Sequence, residues 1–436
     1  MSIDSQIVGE LNRIISSKPD YLDFNGMDMN YATHKYHDYP ATMVPKLPDL
    51  FLNVITKYTE VSNLYDPFIG SGTTLVEGIR HDIDSTGVDL NPLAVLMSKV
   101  KTKKLDKNKL AKYYQTVSNG IKEERRNVEN GKEKLTLPTF KNIDYWYKPY
   151  IKQDLEIIRE QIFKQITEKV YLEFFLLAFS ETVRYVSNTR NSEFKMYRMP
   201  EKALVKWQPN VFDKFFDVLN RNIELNDKLR VPKAKANVIL GSAIKTNLPD
   251  NSFDLLITSP PYGDSKTTVA YGQFSRTSLQ WLNLKEMPAS EVPKIDKELL
   301  GGTLIDKTLH KTLSPTLNKS INEIAEKDER RALEVIQFYS DLYSALKECV
   351  RVMKPNSYQV WVTANRKVKG VCLPTDVIIS ELFSTLGVKK LAEFTRHIPN
   401  KRMPKKNSPT NKVGQKVSTM NQERIVLYKT LKQKVV

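Results

Sequence analysis

The segment Asp66-Pro-Phe-Ile-Gly-Ser-Gly-Thr-Thr74 decides the fold of this chain. It follows the strand-like pair Leu64-Tyr65 and precedes a helical stretch at Leu75–Arg80. Gly70 and Gly72 allow a tight turn and a close approach of the backbone to a ligand. The pattern therefore predicts a strand, a glycine turn and a helix whose N-terminus holds a polar group of a ligand. A tight turn without any ligand is the alternative.

Acidic residues end the two strands of this unit. Asp66 closes the first strand, and Asp89 closes the second in Gly87-Val-Asp-Leu-Asn91. A carboxylate at the first position suits an ammonium group, and one at the second suits the two hydroxyls of a ribose. An ordinary helix cap is the alternative for Asp89. Together the two positions indicate a nucleotide-binding βαβ unit.

A second polar turn, Thr258-Ser259-Pro260-Pro261-Tyr262, follows the apolar strand Leu255-Leu-Ile257. The prolines stiffen the backbone and remove N–H donors, which leaves carbonyl acceptors at the strand end. Acceptors suit a base amino group, whose nitrogen is a poor nucleophile while its lone pair is delocalised. Tyr262 would stack on a base rotated out of the duplex. A proline-rich turn that only closes a strand is the structural alternative.

These motifs resemble those of the S-adenosylmethionine-dependent DNA amino-methyltransferases. Asp66–Thr74 is similar to their motif I, Ser259–Tyr262 to motif IV, and Gly241-Ser-Ala243 to motif III, whose polar side chain lies near the adenine of the cofactor. The segment 37–46 resembles the cofactor-side segment that precedes motif I. The resemblance spans most of the chain apart from two interruptions.

The resemblance implies an α/β fold with a Rossmann-like sheet, mostly parallel with an antiparallel last strand, and helical insertions. It also implies S-adenosylmethionine as methyl donor and no metal. The catalytic residues that it indicates are Ser259, Pro260, Pro261 and Tyr262. The cofactor-binding residues that it indicates are His37, Tyr39, Pro40, Asp66, Pro67, Phe68, Gly70, Ser71, Gly72, Thr73, Thr74, Asp89, Leu90, Asn91 and Ser242.

The target base is predicted from one residue. Serine at the first position of motif IV is typical of the family members that methylate cytosine N4, whereas aspartate or asparagine is typical of adenine-N6 enzymes. Ser259 therefore favours cytosine in double-stranded DNA, with adenine as the alternative. Methylation at cytosine carbon 5 is disfavoured, since Cys349 and Cys372 do not follow a proline as that chemistry requires. An RNA amino-methyltransferase and a non-catalytic DNA-binding regulator are further alternatives.

The motifs divide the chain into four segments. Residues 1–102 form the cofactor-binding half, and residues 237–264 with 332–436 form the catalytic half of the same domain. Residues 103–236 are predicted to be a mainly helical insertion. Residues 265–331 form a second insertion and a candidate target-recognition region, although the first insertion and the loop near the C-terminus are alternatives.

An excess of basic residues points to a polyanionic partner. The chain has 67 Lys and Arg against 50 Asp and Glu, a formal charge of +17. Neutralising phosphates releases counterions and favours binding. The residues expected to contact DNA are Tyr271, Arg276, Arg396, Lys401, Arg402, Lys405 and Lys406. A basic but otherwise ordinary surface is the alternative.

The remaining features define the class of protein. The two cysteines lack metal-ligand spacing, so neither a disulfide scaffold nor a zinc site is predicted. The N-terminus lacks the pattern of a signal peptide, and no apolar run suits a membrane span. A cytoplasmic enzyme without a membrane partner is expected, with a companion restriction endonuclease acting separately.

Overall fold

A computed structural model describes residues 1–191, 193–264, 268–305, 308, 311–398 and 422–431, and the backbone of 406–407 and 417–418. The helices are α1 (Ile3–Ile15), α2 (Lys46–Ile55), α3 (Thr73–Arg80), α4 (Pro92–Lys101), α5 (Lys107–Glu129), α6 (Ile143–Trp146), α7 (Pro149–Gln165), α8 (Lys169–Val186), α9 (Glu201–Lys206), α10 (Val211–Asp227), α11 (Tyr271–Leu282), α12 (Ile295–Glu298), α13 (Pro315–Ala325), α14 (Glu329–Val352) and α15 (Thr375–Thr385). The strands are β1 (Asn63–Asp66), β2 (Asp84–Asp89), β3 (Ala236–Leu240), β4 (Phe253–Thr258), β5 (Met353–Thr363), β6 (Arg366–Val368), β7 (Val371–Leu373), β8 (Val388–His397), β9 (Lys406–Asn407), β10 (Val417–Ser418) and β11 (Gln422–Thr430).

Seven strands form one mixed sheet in the order β3-β2-β1-β4-β5-β11-β8. The pairs among β3, β2, β1, β4 and β5 are parallel, and β11 is antiparallel to both β5 and β8. The last strand, β11, therefore lies between β5 and β8 and runs in the opposite direction to both. The predicted α/β class, with a mostly parallel sheet and an antiparallel last strand, is confirmed.

Strand order places the two acidic strand ends at a switch point of the sheet. From β1, the chain moves to β2 and β3 on one side, and later to β4 and β5 on the other. In open α/β sheets, ligands bind beyond the carboxyl ends of the strands at such a point. The fold therefore predicts a ligand site at the carboxyl ends of β1, β2 and β4.

Both faces of the sheet are covered by apolar layers. Leu64 and Leu255 point to one layer, which contains α1 and α2, while Tyr65 and Leu256 point to the other, which contains α13, α14 and α15. The alternation follows from the two-residue period of a strand. Burial on both faces explains why these strands read as apolar runs.

A third apolar core joins the predicted helical insertion to the sheet domain. Side chains of α5, α7, α8 and α10 pack in one cluster with residues of α4 and α11. Phe174, Phe175 and Phe179 of α8 lie inside this cluster and are almost fully buried. No helix in the described part of the chain has the length and apolarity to cross a membrane.

Candidate functional site

A cleft of about 870 Å³, counting its open mouth, lies at the carboxyl ends of β1, β2 and β4. The sequence-predicted residues that line it are Tyr39, Asp66, Pro67, Phe68, Gly70, Ser71, Thr73, Asp89, Leu90, Asn91, Ser242, Ser259 and Pro261. The structure thus brings most of the predicted cofactor residues together with part of the second polar turn.

The glycine turn forms one wall of the cleft. Gly70 and Gly72 have positive φ angles of 47° and 82°, a region that favours glycine. A Cβ atom at Gly72 would lie 2.7 Å from Oγ of Ser98, which lies on α4. The close approach of α4 is therefore a second reason for glycine at this position. Helix α3 begins at Thr73, and its N-terminus faces the cleft. This wall presents a helix N-terminus, which favours a negatively charged ligand group.

Asp66 is a buried carboxylate at the end of β1. The hydroxyl of Thr258 donates to its Oδ1 at 2.6 Å, and the backbone N–H of Phe68 donates to the same oxygen at 3.0 Å. Burial raises the pKa of Asp66 to about 6, although these hydrogen bonds oppose the shift. Each carboxylate oxygen has two lone pairs, so the group retains acceptor capacity for a ligand.

Asp89, at the end of β2, also lines the cleft. Its Oδ2 accepts the N–H of Gly70 at 2.9 Å, and its Oδ1 accepts the N–H of Asn91 at 2.8 Å. Burial raises the pKa of this carboxyl to about 6 as well. The amide of Asn91 donates to the hydroxyls of Tyr39 at 3.0 Å and Ser275 at 2.7 Å. Asp89 therefore fixes the glycine turn, while Asn91 ties the cleft to α11.

The second polar turn meets the cleft at Ser259 and Pro261. The hydroxyl of Ser259 lies 3.2 Å from that of Tyr262, and the Tyr262 hydroxyl donates to Oε1 of Glu423 at 3.0 Å. Burial, with the nearby Glu423 carboxylate, raises the pKa of Tyr262 well above its ordinary value. Tyr262 is half-buried, its hydroxyl reaches Glu423 on β11, and it is not among the residues that line the cleft.

Some predicted cofactor residues make hydrogen bonds to other parts of the protein. Nε2 of His37 lies 2.8 Å from the hydroxyl of Ser180 on α8, and burial lowers the pKa of this imidazole. Thr74 donates to the carbonyl of Ile257 at 3.2 Å. His37, Pro40, Gly72 and Thr74 lie outside the lining of the cleft, so their direct contact with a cofactor remains a prediction. Pro260 also lies outside the lining, and its catalytic role remains a prediction.

The predicted DNA contacts separate into three groups. Tyr271 lines the cleft and stacks on Tyr39 at 5.8 Å, and Arg276 lies 3.6 Å from Asp296. The prediction for Arg396 needs correction, because β8 continues to His397 and the Arg396 guanidinium is buried against Glu423 and the carbonyl of Leu22. Lys401, Arg402 and Lys405 lie outside the described residues, as does the side chain of Lys406.

The structure adds residues that the sequence analysis missed. Ala41, Thr42 and Met43 line the cleft, as do Glu298, Leu299 and Leu300 of the second insertion. The first three lie within the segment 37–46, directly after the predicted Tyr39 and Pro40, so the segment itself was a usable signal. The second group carries no local signature, because a Leu-Leu pair is common in any core.

The cleft has the shape and chemistry that S-adenosylmethionine needs. It is concave and is lined by apolar side chains together with a few polar groups, as is usual for small-molecule sites. The Asp66 carboxylate suits an ammonium group, and the Asp89 carboxylate suits ribose hydroxyls. Phe68, Ile69, Leu299 and Leu300 supply apolar walls between and around these acids.

Comparison with known proteins gives one relative across nearly the full length. No family model matches the chain. It is 44% identical over 442 aligned residues to the type II methyltransferase M.MvaI of Kocuria varians, covering 98% of this chain and 97% of that protein. It is 29% identical to M.MjaII of Methanocaldococcus jannaschii, over 53% of this chain and 43% of the relative. A solved S-adenosylmethionine-dependent methyltransferase of Methanosarcina mazei is 9% identical, with a TM-score of 0.30, over 87% of this chain and 98% of that one.

Proposed function

This chain belongs to the type II DNA methyltransferases, and from that premise we propose that it transfers a methyl group from S-adenosylmethionine to the exocyclic N4 of cytosine in double-stranded DNA. It acts as the modification enzyme of a restriction-modification pair, with a companion endonuclease that works separately. One observation carries the proposal: Ser259 and Pro261 share a cleft with the carboxylates of Asp66 and Asp89.

The two carboxylates bind different groups of the donor. Asp66 accepts hydrogen bonds from the ammonium group, and Asp89 accepts those of the ribose hydroxyls. Ser242, which also lines the cleft, lies near the adenine. Bound in this way, the donor supplies an electrophilic methyl group on a sulfonium. Holding donor and acceptor in contact replaces an encounter in solution and contributes much of the rate enhancement.

Ser259 and Pro260 polarise the target amino group. The serine hydroxyl and the proline carbonyl accept the two amino hydrogens, which returns electron density to the nitrogen. Tyr262 stacks on the rotated base. Once methylated, the nitrogen is cationic and releases its proton to solvent, so no strong general base is needed.

The product identifies the target base directly. Purified protein is incubated with S-adenosylmethionine and unmethylated genomic DNA, and the DNA is then digested to nucleosides for mass spectrometry. We expect N4-methylcytosine. N6-methyladenine would retain the chemistry and overturn the assignment from Ser259. Methylation of RNA in preference to DNA would instead move the enzyme to another substrate class.

The pH dependence of cofactor binding tests the roles of Asp66 and Asp89. Both carboxyls have a pKa of about 6, so the ionised forms that bind the cofactor disappear as pH falls through about 6. We expect affinity for S-adenosylmethionine to weaken from about pH 8 to about pH 5, as measured by isothermal titration calorimetry. An affinity that is constant over this range would contradict the assignment.

The same two groups predict the opposite trend for the ligand-free protein. A pKa raised by folding means that the folded chain binds the proton more tightly than the unfolded chain. The stabilising contribution is therefore complete below the ordinary pKa of about 4 and is lost as pH rises through about 6. Thermal unfolding of the wild type against Asp66→Asn isolates the part of this contribution that comes from Asp66.

A further inference from the structure

The second polar turn is linked to β11 by a chain of hydrogen bonds. The hydroxyls of Ser259 and Tyr262 lie 3.2 Å apart, and the Tyr262 oxygen lies 3.0 Å from Oε1 of Glu423. Strand β5 separates β4 from β11 in the sheet, so the tyrosine side chain reaches across one strand. The chain begins at a cleft-lining hydroxyl and ends at a carboxylate.

The chemistry of the three groups sets the direction of every bond in this chain. An ionised carboxylate can only accept, so the Tyr262 hydroxyl must donate to Glu423. The tyrosine oxygen is then an acceptor, and the single O–H of Ser259 points to it. Both lone pairs of the Ser259 oxygen remain available on the side of the cleft.

Arg396 holds the end of this chain in place. Its Nη1 pairs with the second oxygen of Glu423, Oε2, and its Nε donates to the carbonyl of Leu22 at 3.0 Å. Arg396 and Glu423 are directly opposite each other on β8 and β11. Their side chains are only 8% and 15% exposed, so water competes weakly for the pair. The guanidinium occupies Oε2 and leaves Oε1 for the tyrosine.

From these contacts we propose that Glu423 is a positioning residue that acts through Tyr262 to make Ser259 a hydrogen-bond acceptor toward the amino group of the target base. The inference rests on the proposed role of Ser259. Without the carboxylate, the tyrosine and serine hydroxyls can reverse their direction, and a serine that donates toward the amino group no longer polarises it. The positive charge of Arg396 thus serves this network and not a DNA phosphate.

The test uses the full-length protein, genomic DNA and single-turnover rates of methyl transfer from labelled S-adenosylmethionine. We expect Glu423→Ala and Tyr262→Phe each to lower the rate by about 30-fold, within the range of up to about 100-fold for small misplacements at a reacting centre. Affinity for S-adenosylmethionine should stay unchanged. The double variant should be no slower than the slower single variant, because both changes break one chain.

The Ser259→Ala background separates positioning from a purely structural role. In that background there is no hydroxyl to orient, so adding Glu423→Ala should change the rate by less than about twofold. Glu393→Ala is the matched control, since Glu393 lies on the neighbouring β8 and pairs with Lys390 at 2.5 Å. It should retain the wild-type rate.

Three results would overturn the inference: a wild-type rate in Glu423→Ala, a multiplicative loss in the double variant, or the full 30-fold effect in the Ser259→Ala background. The ratios between variants do not depend on which base carries the methyl group. A product of N6-methyladenine would therefore overturn the proposed base and leave this test intact.

Discussion

Replacing Tyr262 with alanine is expected to lower the rate of methyl transfer by about 100-fold and to leave the affinity for S-adenosylmethionine unchanged. Removal of the ring takes away base stacking, which contributes about 1–3 kcal/mol per base. It also removes the hydroxyl that lies between Ser259 and Glu423. Cofactor affinity should survive because Tyr262 is not part of the cleft lining. Single-turnover rates and calorimetry measure the two quantities separately.

A matched tyrosine controls for general loss of packing. Tyr343 on α14 is also half-buried, and its hydroxyl lies 3.5 Å from that of Thr385. Tyr343→Ala should retain a rate close to wild type. An equal loss in both variants, or a large loss of cofactor affinity in Tyr262→Ala, would speak against a role in holding the base.

Asp89→Ala is expected to weaken binding of S-adenosylmethionine by about 100-fold or more. The carboxylate accepts the N–H groups of Gly70 and Asn91, and in our proposal it also accepts the ribose hydroxyls. Hydrogen bonds to a charged group contribute about 1.5–3 kcal/mol each, and about 1.4 kcal/mol corresponds to a factor of ten. Loss of the ribose contacts alone therefore accounts for this decrease.

The other end of the same strand supplies the control for Asp89. Asp84 begins β2, is exposed, and accepts the N–H of Lys235 at 2.7 Å. Asp84→Ala should bind S-adenosylmethionine as the wild type does in calorimetry. If Asp89→Ala bound equally well, the ribose would have to be held elsewhere in the cleft.

The local parts of the site could be predicted from sequence because each is encoded within a few residues. The turn at Gly70 and Gly72 and the carboxylates Asp66 and Asp89 follow from short strand-turn-helix patterns. The predicted helical stretch at Leu75–Arg80 corresponds to α3 for the same reason, since apolar spacing is a local signal.

The remaining parts depend on strand order and on packing between distant segments. Glu423 meets Tyr262 only because β11 is inserted beside β5 in the sheet. Arg396 was predicted to contact DNA because it is basic. The number of basic residues in a sequence does not show which of them pair with acidic side chains. Leu299 and Leu300 reach the cleft through the path of an insertion, which apolar spacing cannot determine.

The contribution of Glu298, Leu299 and Leu300 to the cleft has a consequence for protein engineering. The segment 265–331 is the candidate target-recognition region, yet it also supplies part of the wall around the donor. A chimera that takes this segment from another family member would inherit that wall with any new sequence preference. Exchanging this segment to change the recognised DNA sequence would therefore also alter the concentration of donor that the enzyme needs. Sequence preference and donor binding would need to be selected together.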